Sequence, residues 1–106
     1  MNLREIIASI DGSQSHLCIV AKTPWVESAE ARLVKLTPEC RVPSERLDEG
    51  YEYFLEVSVA LEEVIGGLED VLTQEQRYKA VHFYAKNDAF PDWLSELRGN
   101  YRAPRC

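Results

Sequence analysis

Residues 51–72, YEYFLEVSVALEEVIGGLEDVL, constrain the fold more than any other stretch, because the hydrophobic period changes partway along it. Over residues 51–59, apolar and aromatic side chains alternate with other residues, which is typical of a half-buried β-strand. Beyond this point the apolar residues recur at helical spacing, at Leu61, Val64, Ile65, Leu68 and Leu72. The stretch therefore predicts a strand followed at once by a helix that begins near Ser58.

Acidic residues lie opposite the apolar face in both halves of this stretch. If the odd-numbered strand positions face the core, Glu52 and Glu56 project together from the other side of the sheet. A helical projection likewise gathers four carboxylates on the side away from the apolar stripe, those of Glu62, Glu63, Glu69 and Asp70. We therefore predict an organised acidic surface on this part of the molecule.

Two consecutive glycines interrupt the predicted helix, and each costs about 1 kcal/mol relative to alanine in a helix interior. One interpretation is that Gly66 and Gly67 end or kink the helix, since glycine accepts the left-handed cap conformation. Another is that Gly66 leaves a notch among the carboxylates, where a cationic side chain of a partner approaches closely. The sequence leaves both interpretations open.

The N-terminal half predicts one helix and two strands. Asn2 and Glu5 form a capping-box pattern at the start of a helix that residues 11–13 close. Residues 17–21, LCIVA, are continuously apolar and predict a central strand covered on both faces. Residues 31–36 predict a second strand, and Trp25 between the two is expected to cover the sheet edge. Residues 37–50 are the longest predicted loop.

The C-terminal part predicts two helices and a tail. Thr73 and Gln76 form a second capping-box pattern, which starts a helix over residues 74–86 that Asn87 and Asp88 stop. A short helix follows, with four apolar or aromatic residues, Phe90, Trp93, Leu94 and Leu97. Residues 98–106, RGNYRAPRC, contain three arginines without periodicity and predict a loose basic tail.

The predicted fold is α+β, with the element order α-β-β-β-α-α-α over a single domain of residues 1–97. We expect a three-stranded antiparallel sheet packed on one face by about four helices. One layer of helices leaves the other sheet face partly open to solvent, and Glu52 and Glu56 are expected there.

The charge is concentrated in one segment, and this narrows the classes of partner. Residues 41–75 carry ten acidic and two basic residues, so this segment has a net charge of −8. The whole chain has a net charge of −6. This disfavours nucleic-acid binding, which needs a basic surface, and suits a basic protein partner. Plain solubility is the alternative explanation. No apolar run approaches the roughly 18 residues that span a bilayer, and Arg4 and Glu5 interrupt any signal-peptide pattern, so we expect a cytoplasmic protein with reduced thiols.

Signatures of catalysis are weak, and no cofactor or metal site is predicted. No phosphate-binding loop is present, and neither histidine has metal-ligand spacing with a cysteine. A small enzyme remains an alternative, with His82 as a base oriented by Asp88 beside Tyr84, or Cys40 as a nucleophile served by His16 or His82. A packed core histidine explains His82 more simply.

Three segments resemble a family of small bacterial proteins classed as a domain of unknown function. They are residues 3–7 (LREII), the strand with Trp25, and residues 83–90 (FYAKNDAF), and the resemblance covers roughly residues 2–97. These motifs are structural and bring no active site with them. The chain also resembles, more loosely, the immunity proteins of contact-dependent inhibition and other polymorphic toxin systems, whose basic nuclease toxins are bound by charge-complementary surfaces.

The resulting hypothesis is an immunity protein, without chemistry of its own, that neutralises a cognate basic toxin domain. We expect a monomer that binds neither nucleic acid nor membrane. A general protein-interaction or regulatory module is the further alternative. The expected contact residues are Glu45, Asp48, Glu49, Glu52, Glu56, Glu62, Glu63, Gly66, Glu69 and Asp70.

Overall fold

The structure is a computed structural model that describes residues 1–94 and 97. In chain order the elements are α1 (Leu3–Ser9), a 3-10 turn (Gly12–Gln14), β1 (Cys18–Lys22), β2 (Ala31–Val34), α2 (Ser44–Asp48), β3 (Tyr51–Glu56), a π-helix (Val59–Ile65) and α3 (Gln74–Asn87). The α+β class with a three-stranded antiparallel sheet is confirmed. The short helix α2 was not predicted and lies within the segment expected to be a loop.

Both predicted capping boxes are present. At α1, the Glu5 backbone N–H donates to the Asn2 side chain at 2.8 Å, and the Asn2 N–H donates to the Glu5 carboxylate at 2.9 Å. At α3, Thr73 and Gln76 exchange the equivalent hydrogen bonds at 3.0 and 3.1 Å. Each box satisfies two backbone N–H donors that a helix start leaves without partners, so both helices begin where the sequence predicts.

Strand β1 lies at the centre of the sheet, and the strand order is β2-β1-β3. Both neighbours run antiparallel to it, with Cys18 opposite Val34 in β2 and opposite Glu56 in β3. The first four residues of β1 are completely buried. The continuously apolar run therefore predicted the central position correctly, because such a strand is covered on both faces.

A β-bulge in β3 breaks the alternation on which the predicted orientation of this strand depended. The register with β1 shifts between Ile19, opposite Leu55, and Val20, opposite Tyr53, so that Phe54 is the extra residue. Phe54 and Leu55 are consecutive, yet both are buried in the core. An extra residue reverses the in-out alternation beyond it.

The bulge places Glu52 and Glu56 on opposite faces of the sheet, and the prediction that they project together is wrong. Residues opposite each other in antiparallel strands share a face. Glu52 lies opposite Ala21, which belongs to the core beneath the helices, whereas Glu56 lies opposite Cys18, which faces away from them.

The main core lies between the sheet and the helices α1, α3 and the π-helix. Phe54 is its largest fully buried side chain, and the Trp25 ring contacts it edge-on with the ring centroids 4.9 Å apart. Burying a side chain of this size contributes about 1.5–3 kcal/mol. Trp25 thus covers the core beside the edge strand, as predicted.

The opposite sheet face carries a second, smaller core, although it was expected to be partly open. Its buried residues come from all three strands and from the segment between β2 and β3, namely Cys18, Val20, Val34, Val42 and Tyr51. Val42 belongs to the predicted loop of residues 37–50, so this segment folds over the sheet. Apolar strand residues on this face favour such a cover because it removes them from water.

The helix after β3 is a π-helix that ends at Ile65, so the prediction of a continuous helical stripe to Leu72 is wrong. Gly67 has φ +80°, a left-handed conformation that side chains rarely adopt, and residues 66–72 form turns. A Cβ on Gly66 would lie 2.2 Å from the Glu62 carbonyl oxygen. The two glycines are therefore needed to end the helix.

Helix α3 ends as predicted, at Asp88 in the left-handed conformation with φ 54° and ψ 36°. Its buried residues are Tyr78, Ala80 and Val81. Beyond it, residues 92–94 and 97 are helical, and Leu94 is completely buried whereas Phe90 is 40% exposed. The predicted basic tail of residues 98–106, with Cys106, lies outside the described residues.

Candidate functional site

Among the acidic residues at positions 45–49, Glu49 pairs with basic residues of the same chain. Glu45 and Asp48 are exposed on α2, and Glu49 caps its end. The Glu49 carboxylate lies 2.6 Å from the Arg46 guanidinium and 3.9 Å from that of Arg32. Exposed pairs of this kind contribute roughly 0–1 kcal/mol, but they offset the local negative charge.

Glu56 lies beside a residue of the second core and does not contribute to a shared acidic surface. Burial, and next the Glu56 carboxylate opposite it, raise the pKa of the Cys18 thiol to about 12. Cys18 therefore stays protonated at neutral pH and behaves as a small apolar residue. Glu52 is exposed on the other face of β3, so these two residues do not form one surface.

The remaining predicted contact residues lie on and after the π-helix. Glu62 and Glu63 are exposed on the helix, whereas Glu69 and Asp70 are exposed in the turns that follow it. The Glu62 carbonyl closes the space beside Gly66. This favours the interpretation that the glycine ends the helix, and disfavours the interpretation that it leaves a notch for a partner's side chain. The four carboxylates thus belong to two different segments instead of one helical face.

A groove of about 320 Å³ lies between the edge strand β3 and α3. We call it the β3–α3 groove. Its lining residues are Trp25, Tyr53, Phe54, Leu55, Val59, Glu63, Tyr84, Ala85 and Asp88. The groove thus combines an apolar floor, the Tyr84 phenol and two carboxylates, and no lysine or arginine is among these described lining residues.

The two tyrosines bring polar groups to an otherwise aromatic wall. Tyr53 is 43% exposed, and the Tyr84 hydroxyl donates a long hydrogen bond of 3.5 Å to the Glu63 carboxylate. Burial, followed by the Glu63 and Asp88 carboxylates, raises the pKa of Tyr84. Burial, followed by Glu56, raises that of Tyr53. Both phenols therefore remain neutral at pH 7, and the charge of the groove comes from its carboxylates.

Three lining residues of the groove, Tyr53, Tyr84 and Asp88, were not expected at a binding surface. Tyr53 lay on the alternation assigned to the core, which the bulge overturns. Helical spacing places Tyr84 with Tyr78, Val81 and Ala85 on the face of α3 that was expected to be buried. Asp88 was interpreted as a helix stop and, in the alternative of a small enzyme, as the residue that orients His82. The amphipathic character of tyrosine was the one available signal for a binding surface, since its ring packs against apolar residues while its hydroxyl contacts water.

The histidine considered as a general base is held by other contacts. His82 Nε2 lies 2.7 Å from the Trp25 carbonyl oxygen, and its ring stacks on Tyr78 with centroids 5.5 Å apart. Asp88 is not its hydrogen-bond partner. Cys40 is exposed with φ 61°, and in the described part of the chain no hydrogen bond joins it to His16 or His82. Neither arrangement considered for catalysis is assembled.

Within residues 1–94 and 97, no group of three or more His, Cys, Asp or Glu side chains is placed to hold a metal ion. No described helix combines the length and apolar character needed to cross a membrane.

Comparison of the chain with protein-family models, curated proteins and solved structures gives no match. The family resemblance noted from the sequence therefore stays a prediction, and the function is inferred from the placement of the side chains.

Proposed function

We propose that this protein is an immunity-type inhibitor that binds a basic bacterial toxin domain in the cytoplasm, with the contact centred on the β3–α3 groove. The observation that carries the proposal is the groove itself. It places the Glu63 and Asp88 carboxylates beside the phenol of Tyr84, next to an edge strand. Aromatic side chains in a concave patch are typical anchors of protein interfaces.

The charge distribution supports a basic partner. Residues 41–75 carry a net charge of −8, and Glu62 and Glu63 lie exposed on the π-helix, where Glu63 lines the groove. Complementary charge accelerates encounter and rejects partners of like charge. Glu45 and Glu49 are near Arg32 and Arg46, which line a separate depression, so we assign them to the periphery of the contact.

The location beside an edge strand supports a protein partner over a small substrate. Strand β3 pairs only with β1 among the described strands, and its residues Tyr53, Phe54 and Leu55 line the groove consecutively. A segment of a partner laid along such an edge gains main-chain hydrogen bonds, while adjacent pockets take its side chains.

The candidate toxin for the test is the C-terminal domain of the protein encoded by the gene directly upstream. We expect it to form a complex with the wild-type chain and to lose its activity there. Glu62→Lys/Glu63→Lys should weaken the complex at least about 30-fold, as expected for reversal of charge pairs within an interface. The matched control, Glu69→Lys/Asp70→Lys, makes the same change in charge outside the groove and should weaken it less than about threefold.

Either of two results would overturn the proposal. One is a toxin that neither binds nor loses activity in the presence of the wild-type chain. The other is equal weakening by the two double variants, which would show that net charge alone governs the contact. Circular dichroism of both variants would establish that the fold is intact.

A further inference from the structure

We propose that the β3–α3 groove accepts an arginine side chain of the partner, with the guanidinium against Tyr84 and paired with Glu63 and Asp88. This inference rests on the proposed function for the identity of the partner as a basic protein. It adds which side chain is recognised and where its charged group lies.

The size of the groove fits a side chain better than a cofactor. Its volume of about 320 Å³ lies at the lower end of the roughly 300–1,000 Å³ that small-molecule sites occupy. The apolar residues Phe54, Leu55, Val59 and Ala85 offer contact to the methylene stem of an arginine. The polar residues Glu63, Tyr84 and Asp88 line the same groove.

The polar groups of the groove match a cation with a flat face. Tyr84 lies half-buried beside Glu63 and Asp88, so an aromatic face and carboxylates occur together. Cation–π contact and a charge-assisted hydrogen bond strengthen each other when both are partly removed from water. The protein already shows this combination elsewhere, since Arg32 and Lys22 lie over the Tyr51 ring beside Glu30.

Arginine suits this groove better than lysine. Its guanidinium is planar, stacks on aromatic rings, and donates to two acceptors at once. It is also less strongly hydrated than an ammonium group, so less is lost when it enters a partly enclosed groove. Glu63 already accepts from Tyr84 at 3.5 Å, and a carboxylate has enough lone pairs to accept a guanidinium as well.

The test titrates the full-length, 15N-labelled protein with three blocked tripeptides, Ac-Ala-X-Ala-NH2, in which X is arginine, lysine or citrulline. Citrulline has nearly the shape of arginine without its charge. We expect the arginine peptide to bind with amide shifts at Glu63, Tyr84, Ala85 and Asp88. The citrulline peptide should bind at least about tenfold more weakly, and the lysine peptide about threefold more weakly.

Variants locate the site. Glu63→Gln and Asp88→Asn should each weaken the arginine peptide at least about threefold, whereas Asp70→Asn, an equal loss of charge in the turn beyond the glycines, should leave it unchanged. Asparagine tolerates the left-handed backbone of Asp88, so the fold is kept. Tyr84→Leu keeps an apolar side chain of adequate size and should also weaken binding, while Tyr84→Phe should retain most of it.

Several results would overturn the inference. They are equal binding of the arginine and citrulline peptides, no binding of the arginine peptide, shifts confined to another face, or equal effects of Glu63→Gln and Asp70→Asn. Tighter peptide binding after Arg98→Gln/Arg102→Gln/Arg105→Gln would also overturn it, by identifying the chain's own basic residues as the occupant of the groove.

The two proposals fail separately. If the peptide does not bind but Glu62→Lys/Glu63→Lys disrupts the toxin complex, the arginine site is wrong and the proposed function stands. If the peptide binds in the groove but no toxin complex forms, the proposed function is wrong and the groove is a cation site of another use.

Discussion

His82 donates a hydrogen bond through Nε2 to the carbonyl oxygen of Trp25, at 2.7 Å. Because a carbonyl oxygen only accepts, the proton must lie on Nε2 in this arrangement. The imidazole also contacts the rings of Tyr78 and Phe54, so it links α3 to the segment between β1 and β2. This residue therefore joins two parts of the fold that lie 57 positions apart in the chain.

His82→Ala should lower the free energy of unfolding by about 2–3 kcal/mol, because the Trp25 carbonyl loses its partner and the ring contacts are lost. His16→Ala is the matched control, since His16 is exposed, and should change it by less than about 0.5 kcal/mol. Urea unfolding followed by tryptophan fluorescence measures both. Equal stabilities of the two variants would contradict a structural role for His82.

Arg77 on α3 stabilises the end of α1, although the two are far apart in the sequence. Its guanidinium donates to the carbonyl oxygens of Ile7 at 2.9 Å and Ile10 at 2.7 Å. A helix leaves its last carbonyls without partners, and a cation there also interacts favourably with the helix dipole. Burial lowers the pKa of Arg77 from its ordinary value, but an arginine stays charged at neutral pH.

Arg77→Gln should therefore destabilise the protein by about 2–3 kcal/mol, in line with hydrogen bonds from a charged donor. Lys79→Gln removes the same charge from an exposed position of α3 and should have little effect. Thermal unfolding gives the stability, and hydrogen exchange should show faster exchange at the Ile10 amide in Arg77→Gln alone. Unchanged exchange there would argue against the capping role.

The two glycines that end the π-helix should differ in their tolerance of alanine. Gly67→Ala places a Cβ in open space but at φ +80°, and should cost about 1–2 kcal/mol. Gly66→Ala puts a Cβ 2.2 Å from the Glu62 carbonyl oxygen, so the backbone must shift, and about 3 kcal/mol is expected. Gly12→Ala, with no atom within 4 Å of the added Cβ, is the neutral control. Chemical unfolding of the three variants should give this order, and a larger loss in Gly12→Ala would refute the explanation.

The Glu30 carboxylate should make part of the stability dependent on pH. The Tyr51 hydroxyl donates to it at 2.5 Å, and this hydrogen bond, followed by the charge of Lys22, lowers the pKa of Glu30. A lowered pKa in the folded state means that the contribution is present above the unfolded value of about 4.3. It is lost as the pH falls through the folded value.

Tyr51→Phe keeps the ring beneath Lys22 and Arg32 but removes the hydroxyl. The difference in urea midpoint between wild type and this variant should be present at pH 7 and shrink as the pH falls below about 4.3. Glu30→Gln serves as the reference background, in which Tyr51→Phe should have an effect that does not vary with pH. A difference that grows on acidification would contradict the sign of this linkage.

The parts of the fold that were predicted correctly depend on residues close together in the sequence. The capping boxes at Asn2–Glu5 and Thr73–Gln76, and the stop at Asp88, involve contacts over three or four residues. Such contacts leave direct patterns of spacing that can be recognised without knowing the fold. The position of β1 was also predictable, because continuous burial on both faces leaves a continuously apolar sequence.

The wrong predictions for the faces of the sheet depend on contacts between distant residues. The bulge at Phe54 exists only because β3 pairs with β1, and it moved Glu52 and Glu56 to opposite faces. The cover that Val42 gives to the second core depends on the path of a loop. Neither feature leaves a periodic pattern in the sequence. Nothing in the sequence therefore indicated that the predicted acidic face of β3 was wrong.

The sequence by itself determined the α+β class, the places where α1 and α3 begin, and the concentration of negative charge in residues 41–75. Only the tertiary structure decided that Tyr53, Glu63, Tyr84 and Asp88 line one groove, since they come from β3, the π-helix and α3 with its cap. Local hydrogen bonding and hydrophobic period act within a few residues, whereas a groove forms where separate elements pack, and that requires the whole chain to be folded.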